Sequence, residues 1–217
     1  MKITREVILE GIIRHTVDAR IRLEDGVSLF EQVRFSSAII LGTIALEDLG
    51  RAYWLASLAD DEPRREQLTV KSFATALRKL DHQQNLKLGL AGFSMDHAPS
   101  INKETLQRQH GDDWEKALQR NADAIRSFHR KAPVMLHEAR TTAQYPELIE
   151  TGCSWKSSAE VSVETARNTL RQALENYYLF QTSRLDKLIG LRELSKVLGS
   201  EDCTFGYFLP YDRLGML

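Results

Sequence analysis

The stretch SSAIILGTIALEDLGRAYWLASLA, Ser36 to Ala59, is the most apolar in the chain, and the fold turns on how it is read. From Phe35 to Leu46 no residue is charged. A helix built on it therefore has no polar face and has to lie among other helices. Glu47, Asp48 and Arg51 then arrive within five residues, and the apolar run resumes as AYWLASLA. The stretch is long enough to cross a bilayer, yet each ionisable group at a membrane helix centre costs about 2.5–3.5 kcal/mol on insertion scales. Three such groups argue against a span and for the central helix of an all-α bundle.

The flanking sequence agrees. Helix formers dominate every long segment, and no clean alternating run with Asn-Gly or Asp-Gly turns appears. The pattern predicts a first helix from Thr4, as N-cap, to Leu23, closed by EDG at Gly26. The second helix is expected from Ser28 to Leu58. After the polar DDEPRRE, a third starts near Thr69 and continues through KSFATALRKLDHQQNLKLGL. AGFSMDHAPSINKE, Ala91 to Glu104, reads as a loop. The helical stretch from Thr105 to Ala132 is broken at Gly111 and stopped near Pro133. An irregular segment is expected over 140–157. A further helix, SVETARNTLRQALENYYLF, is capped by Ser162. A shorter helix, RLDKLIGLRELSKVL, and an irregular tail close the chain. With no internal repeat or linker, the expectation is one all-α domain over 1–217: a bundle of four to five long helices plus a shorter C-terminal helix.

Composition narrows the classes. The 217 residues are 42% hydrophobic and 27% charged, which is globular composition. The net charge of −1 lacks the basic coating of a non-specific nucleic-acid binder. Cys153 and Cys203 are isolated thiols without a Cys-x-x-Cys, and MKITREVILEGIIRH has no uninterrupted apolar core of a signal peptide. A cytoplasmic protein with no membrane association is expected. Glu-x-x-His, His-Glu-x-x-His, P-loop, Gly-x-Gly-x-x-Gly and Gly-x-Ser-x-Gly patterns are all missing from the sequence. No cofactor or metal is therefore expected, and no DNA-reading motif is seen.

Two constellations remain. Glu47 and Arg51 are four apart on one helical face, with Asp48 beside them. In a central helix these charges face a cleft, a helix seam or a subunit interface, and they are costly unless paired. One reading is a structural ion pair that fixes helix register; the other is one wall of a functional groove. In RKLDHQQNLK, Arg78 and His82 are four apart, and Asn85 continues their face. An imidazole can take a proton from a ribose hydroxyl while a guanidinium stabilises charge developing on the phosphate. The same residue types also make an ordinary solvated face. Arg126 and His129 form a second basic cluster, for which capping of a helix C-terminus is the plain explanation. His15 and His110 are expected on surfaces, and His97 and His137 have no evident helical partner.

An apolar helix ending in ALEDLGRAYWL, followed by a helix carrying a basic residue and then HQQNLK, resembles the AbiV family of abortive-infection proteins. That family is a branch of the HEPN superfamily of all-α domains. The matching positions are Ala45, Glu47, Asp48, Gly50 and Arg51, then His82 and Lys87. Asp48 stands where the family has a second Glu, and Arg51 where it has Lys. Many HEPN ribonucleases separate an Arg from its His by four to six residues. Here three separate Arg78 from His82, and two separate Arg126 from His129.

The resemblance implies a cytoplasmic homodimer in anti-phage defence. It would act either by metal-independent RNA cleavage or by blocking translation through binding RNA or a phage or host protein. It further implies that the second and third helices bring their polar residues to one groove. In that groove Glu47 orients His82, and Arg78 or Arg51 holds a phosphate. The candidate catalytic residues are thus His82, Arg78 and Glu47; the candidate binding residues are Asp48, Arg51, Asn85, Lys87, Arg126 and His129. The alternative is a non-enzymatic interaction module in which the Glu47/Asp48/Arg51 cluster is structural.

Overall fold

A computed structural model of the chain describes residues 2–90, 103–145, 147–149, 154–157, 161–181 and 185. The architecture is all-α. Helices α1 (Arg5–Glu31) and α2 (Phe35–Asp60) form a long hairpin, followed by α3 (Glu62–Glu66), α4 (Val70–Lys79) and α5 (His82–Gly89). Then come α6 (Lys103–His110), a 3-10 turn at Gly111–Asp113, α7 (Trp114–Gln144) and α8 (Val163–Phe180). Between α7 and α8 lies a small antiparallel ribbon, β1 (Glu147–Ile149) with β2 (Ser154–Lys156), in which Leu148 pairs with Trp155.

Helix α2 is the axis of the bundle and packs against α1, α5, α7 and α8. Ala45 through Gly50 are all buried, and six consecutive residues cover every direction around a helix of 3.6 residues per turn. The core around it includes Ile8, Ile12, Ile13 and Leu23 of α1, Leu46, Leu49 and Leu55 of α2, and Leu170, Leu174 and Tyr177 of α8. Each such side chain contributes about 1.5–3 kcal/mol by leaving water.

Several boundaries differ from the sequence expectation, each for a local reason. Gly26 does not end α1, which continues to Glu31. Gly26 is instead where α8 comes close: a Cβ there would lie 2.9 Å from Leu170 Cδ2. Ser28 does not start α2; it lies inside α1 with its hydroxyl donating to the Glu24 carbonyl at 3.0 Å. The corner is at Gln32–Arg34, where Val33 has a φ of 62°, a left-handed conformation that β-branched residues rarely adopt.

The expected third helix is two helices. Leu80 leaves the helical region with ψ 105°, and Asp81 starts α5 with a capping box to Gln84. Gly111, with a φ of 55°, does interrupt the later helical stretch. Pro133 does not stop it. Ala132, Pro133 and Leu136 are buried, and this packing keeps α7 helical on both sides of the proline, so it runs to Gln144. The segment expected to be irregular over 140–157 is consequently the end of α7 plus the β1–β2 ribbon. Ser162 caps α8 as expected, its hydroxyl accepting from the Thr165 N–H at 3.1 Å. The expected 91–104 loop up to residue 102, and, apart from Leu185, the short C-terminal helix and tail, lie outside the described residues.

Candidate active site

The site begins with two glycines. Gly50 of α2 and Gly89 of α5 sit where these helices touch backbone to backbone. A Cβ on Gly50 would lie 1.9 Å from the Asn85 carbonyl oxygen, and one on Gly89 would lie 2.1 Å from that of Leu46. Only glycine fits at either place. This close crossing lays α5 from Asn85 to Gly89 along the α2 turn from Leu46 to Gly50, which carries Glu47, and brings His82 one turn away. The corner before α5 is fixed separately: Asp81 accepts the Gln84 N–H at 2.7 Å, and the buried Asn85 donates its amide to the Leu80 carbonyl at 3.3 Å. His82, the first residue of α5, is thereby aimed at Glu47.

His82 Nδ1 lies 2.9 Å from Glu47 Oε2. The Glu47 side chain is 5% exposed, whereas that of His82 is 58% exposed. Arg140, near the end of α7, forms an ion pair with the other carboxylate oxygen, Glu47 Oε1. An ionised carboxylate only accepts hydrogen bonds, so His82 Nδ1 carries the hydrogen and donates it. Nδ1 then cannot also accept from Arg140, whose Nη1 is 3.4 Å away. That approach reflects two donors sharing one carboxylate. In the neutral imidazole this tautomer places the lone pair on Nε2, in a side chain that is 58% exposed. A buried acid holding a histidine by Nδ1 is the geometry that makes Nε2 a positioned general base.

Asp48 points elsewhere, because successive helical residues diverge by about 100°. Its side chain is 3% exposed and faces α1, where His15 Nδ1 is 3.3 Å from Oδ1 and Arg22 Nη1 is 2.7 Å from Oδ2. Arg51 Nη1 is 3.3 Å from Oδ1.

The sequence candidates therefore separate. Glu47 and His82 meet as expected, and Asp48 and Arg51 meet each other, but the two pairs engage different helices. Arg78 is not a helical neighbour of His82: the chain leaves helix between them, and Arg78 lies exposed at the end of α4 with Nε donating to the Ala74 carbonyl at 3.3 Å. The guanidinium beside His82 comes instead from Arg140. Asn85 is fully buried and holds the α4–α5 corner rather than facing a ligand. Lys87 is exposed on α5. Arg126 and His129 lie within α7, not at a helix end, and their side chains are outside the described residues.

Sequence reasoning missed Arg140, His15 and Arg22. Arg140 was hidden by the expectation that the helix ends near Pro133. His15 and Arg22 are seven apart, two turns on one face of α1, which was a readable signal.

Among the described residues, no group of three or more His, Cys, Asp and Glu is placed to hold a metal ion, and no helix is long and apolar enough to cross a membrane. No protein-family model, curated protein or solved structure matches the chain.

Proposed function

We propose that the protein is a HEPN-like abortive-infection protein that cleaves RNA without a metal ion, with His82 as general base. The observation that carries the proposal is an exposed imidazole bonded through Nδ1 to a buried Glu47, which is itself paired with Arg140. His82 Nε2 takes the proton of a ribose 2′-hydroxyl. The 2′-oxygen forms a bond to the adjacent phosphorus, the bond from phosphorus to the 5′-oxygen breaks, and the leaving oxygen takes a proton from water. The products are a 2′,3′-cyclic phosphate and a 5′-hydroxyl. Glu47 holds the ring and stabilises the imidazolium as it forms; Arg140 balances the Glu47 charge and presents a guanidinium beside the reacting phosphate.

The sequence resemblance adds anti-phage defence and a homodimeric state to the reading; sedimentation of the purified protein tests the second. The catalytic claim is tested by incubating RNA with the protein in EDTA and analysing the ends formed. Cyclic phosphate ends, reduced by about 10²-fold or more in His82→Ala at unchanged melting temperature, are expected. Cleavage that persists in His82→Ala removes His82 as base. Wild-type protein that leaves RNA intact favours the interaction-module alternative.

A further inference from the structure

The Asp48 cluster holds more positive charge than its carboxylate neutralises. One guanidinium is enough to pair a buried carboxylate, yet Asp48 gathers Arg22, Arg51 and His15 from two helices. Both arginine side chains are 33% exposed. Arg51 Nη1 donates to Asp48 Oδ1, Arg22 Nη1 stands at ion-pair distance from Oδ2 without a hydrogen bond to it, and each guanidinium has five N–H donors. Arg51 has no other partner among the described residues. Arg22 has one further neighbour, Asp18, at 3.8 Å. That contact is at the outer limit of an ion pair, and the Asp18 side chain is 52% exposed, so water and a competing anion reach it readily. Ordering two arginines around one acid costs side-chain entropy and sets like charges close together. A structural pair needs neither. The buried carboxylate instead serves as a pin that holds two guanidinium forks and an imidazole around it, while a third of each arginine side chain stays exposed. That is the donor set for a tetrahedral phosphate.

We propose that Arg22, Arg51 and His15, pinned by Asp48, form a phosphate-binding subsite. It takes a backbone phosphate of the same RNA strand whose 2′-hydroxyl faces His82, and in that respect it rests on the proposed RNA reading. Asp48 sits one residue after Glu47 on α2, so the two clusters lie at one level of the bundle, on faces about 100° apart.

The experiment measures binding of a 2′-O-methyl oligoribonucleotide, which has no reactive hydroxyl, by fluorescence anisotropy over a salt series. The proteins are wild type, Arg22→Gln, Arg51→Gln, the double variant and Arg14→Gln. Arg14 is an exposed arginine on the same helix with its own partner, Glu10, and serves as the control. Each Gln variant of the subsite is expected to bind about tenfold more weakly. The double variant should lower the slope of log affinity against log salt by about 0.7, the value for one lost phosphate contact on a single strand. Arg14→Gln should behave as wild type. Equal binding by all five proteins overturns the subsite.

A second measurement needs no variant. Inorganic phosphate added to the wild-type protein at constant ionic strength should move the His15 ring resonances, and an unmoved His15 also overturns it. Competition separates the sources of the phosphate: free phosphate at millimolar concentration displacing the oligonucleotide marks a general phosphate site, and failure to displace it marks one that needs the strand. Cleavage is scored independently. Arginine-dependent binding by a protein that never cleaves RNA retains the subsite and removes the nuclease reading, whereas cleavage that is insensitive to both arginines does the reverse.

Discussion

Substituting Gly50 by Ala tests the fold and the candidate site together. The added Cβ would lie 1.9 Å from the Asn85 carbonyl oxygen, 2.7 Å from its carbon and 2.9 Å from Cα. All three are backbone atoms of a helix, so no side chain can swing aside. Restoring an ordinary contact near 3.4 Å requires α2 and α5 to separate locally by 1.5 Å, the difference between 3.4 and 1.9 Å. Forced overpacking of this kind costs about 1–3 kcal/mol or more, against a gain of about 1 kcal/mol from replacing a mid-helix glycine by alanine. The net loss from the upper half of that range is up to about 2 kcal/mol, or up to roughly 8 °C in melting temperature for a chain of this size. The same displacement takes the 2.9 Å His82–Glu47 bond beyond hydrogen-bonding distance, so RNA cleavage should fall even where the protein remains folded. Gly11→Ala is the matched control. Its Cβ meets only the tip of a side chain, Leu55 Cδ1 at 3.1 Å, and its melting temperature should stay level or rise. Calorimetry and a cleavage assay on both variants decide the matter. Gly50→Ala with wild-type stability and activity would refute the close crossing as the device that sets His82 against Glu47.

Glu47→Ala should lower stability by about 2–3 kcal/mol in a denaturant melt, because it leaves Arg140, 17% exposed, without its acid. A loss below about 0.5 kcal/mol would show that the pair is not sheltered in solution. Val33→Gly should raise stability by about 1 kcal/mol, since it relieves a β-branched residue at a φ of 62° on an exposed corner. A lower melting temperature would contradict the left-handed assignment. Burial pushes the Tyr177 phenol well above its ordinary value of about 10. Below pH 10 it is neutral in both states; above it the unfolded chain ionises first, so stability falls as pH rises. Tyr177→Phe loses the bond donated by Gln181 Nε2, 2.9 Å, and should be less stable by about 1 kcal/mol at pH 8. By pH 11 the balance should move by about 1.4 kcal/mol, which cancels that deficit and leaves the Phe variant slightly the more stable. A deficit that stays constant between the two pH values would exclude an ionisation penalty at this residue.

The all-α class and the central place of α2 follow from the sequence because an uncharged run covers every face of a helix, whatever its neighbours are. The Ser162 cap is equally local: one hydroxyl, three residues from the N–H that it accepts. Tertiary structure decided what those local signals leave open. Pro133 reads as a stop because it lacks an N–H, and only burial of the residues around it carries α7 on to Arg140. Arg78 and His82 read as one helical face because spacing alone cannot reveal the turn at Leu80–Asp81, which the Asp81–Gln84 capping box and the Asn85 amide on the Leu80 carbonyl hold. The pairing of Glu47 with His82, thirty-five positions apart, depends on two glycines letting backbones touch, a fact about two helices at once. The sequence thus determined which residues were too costly to bury unpaired. Their partners were set by helix packing, because a side chain's direction in space depends on neighbours that no local pattern encodes.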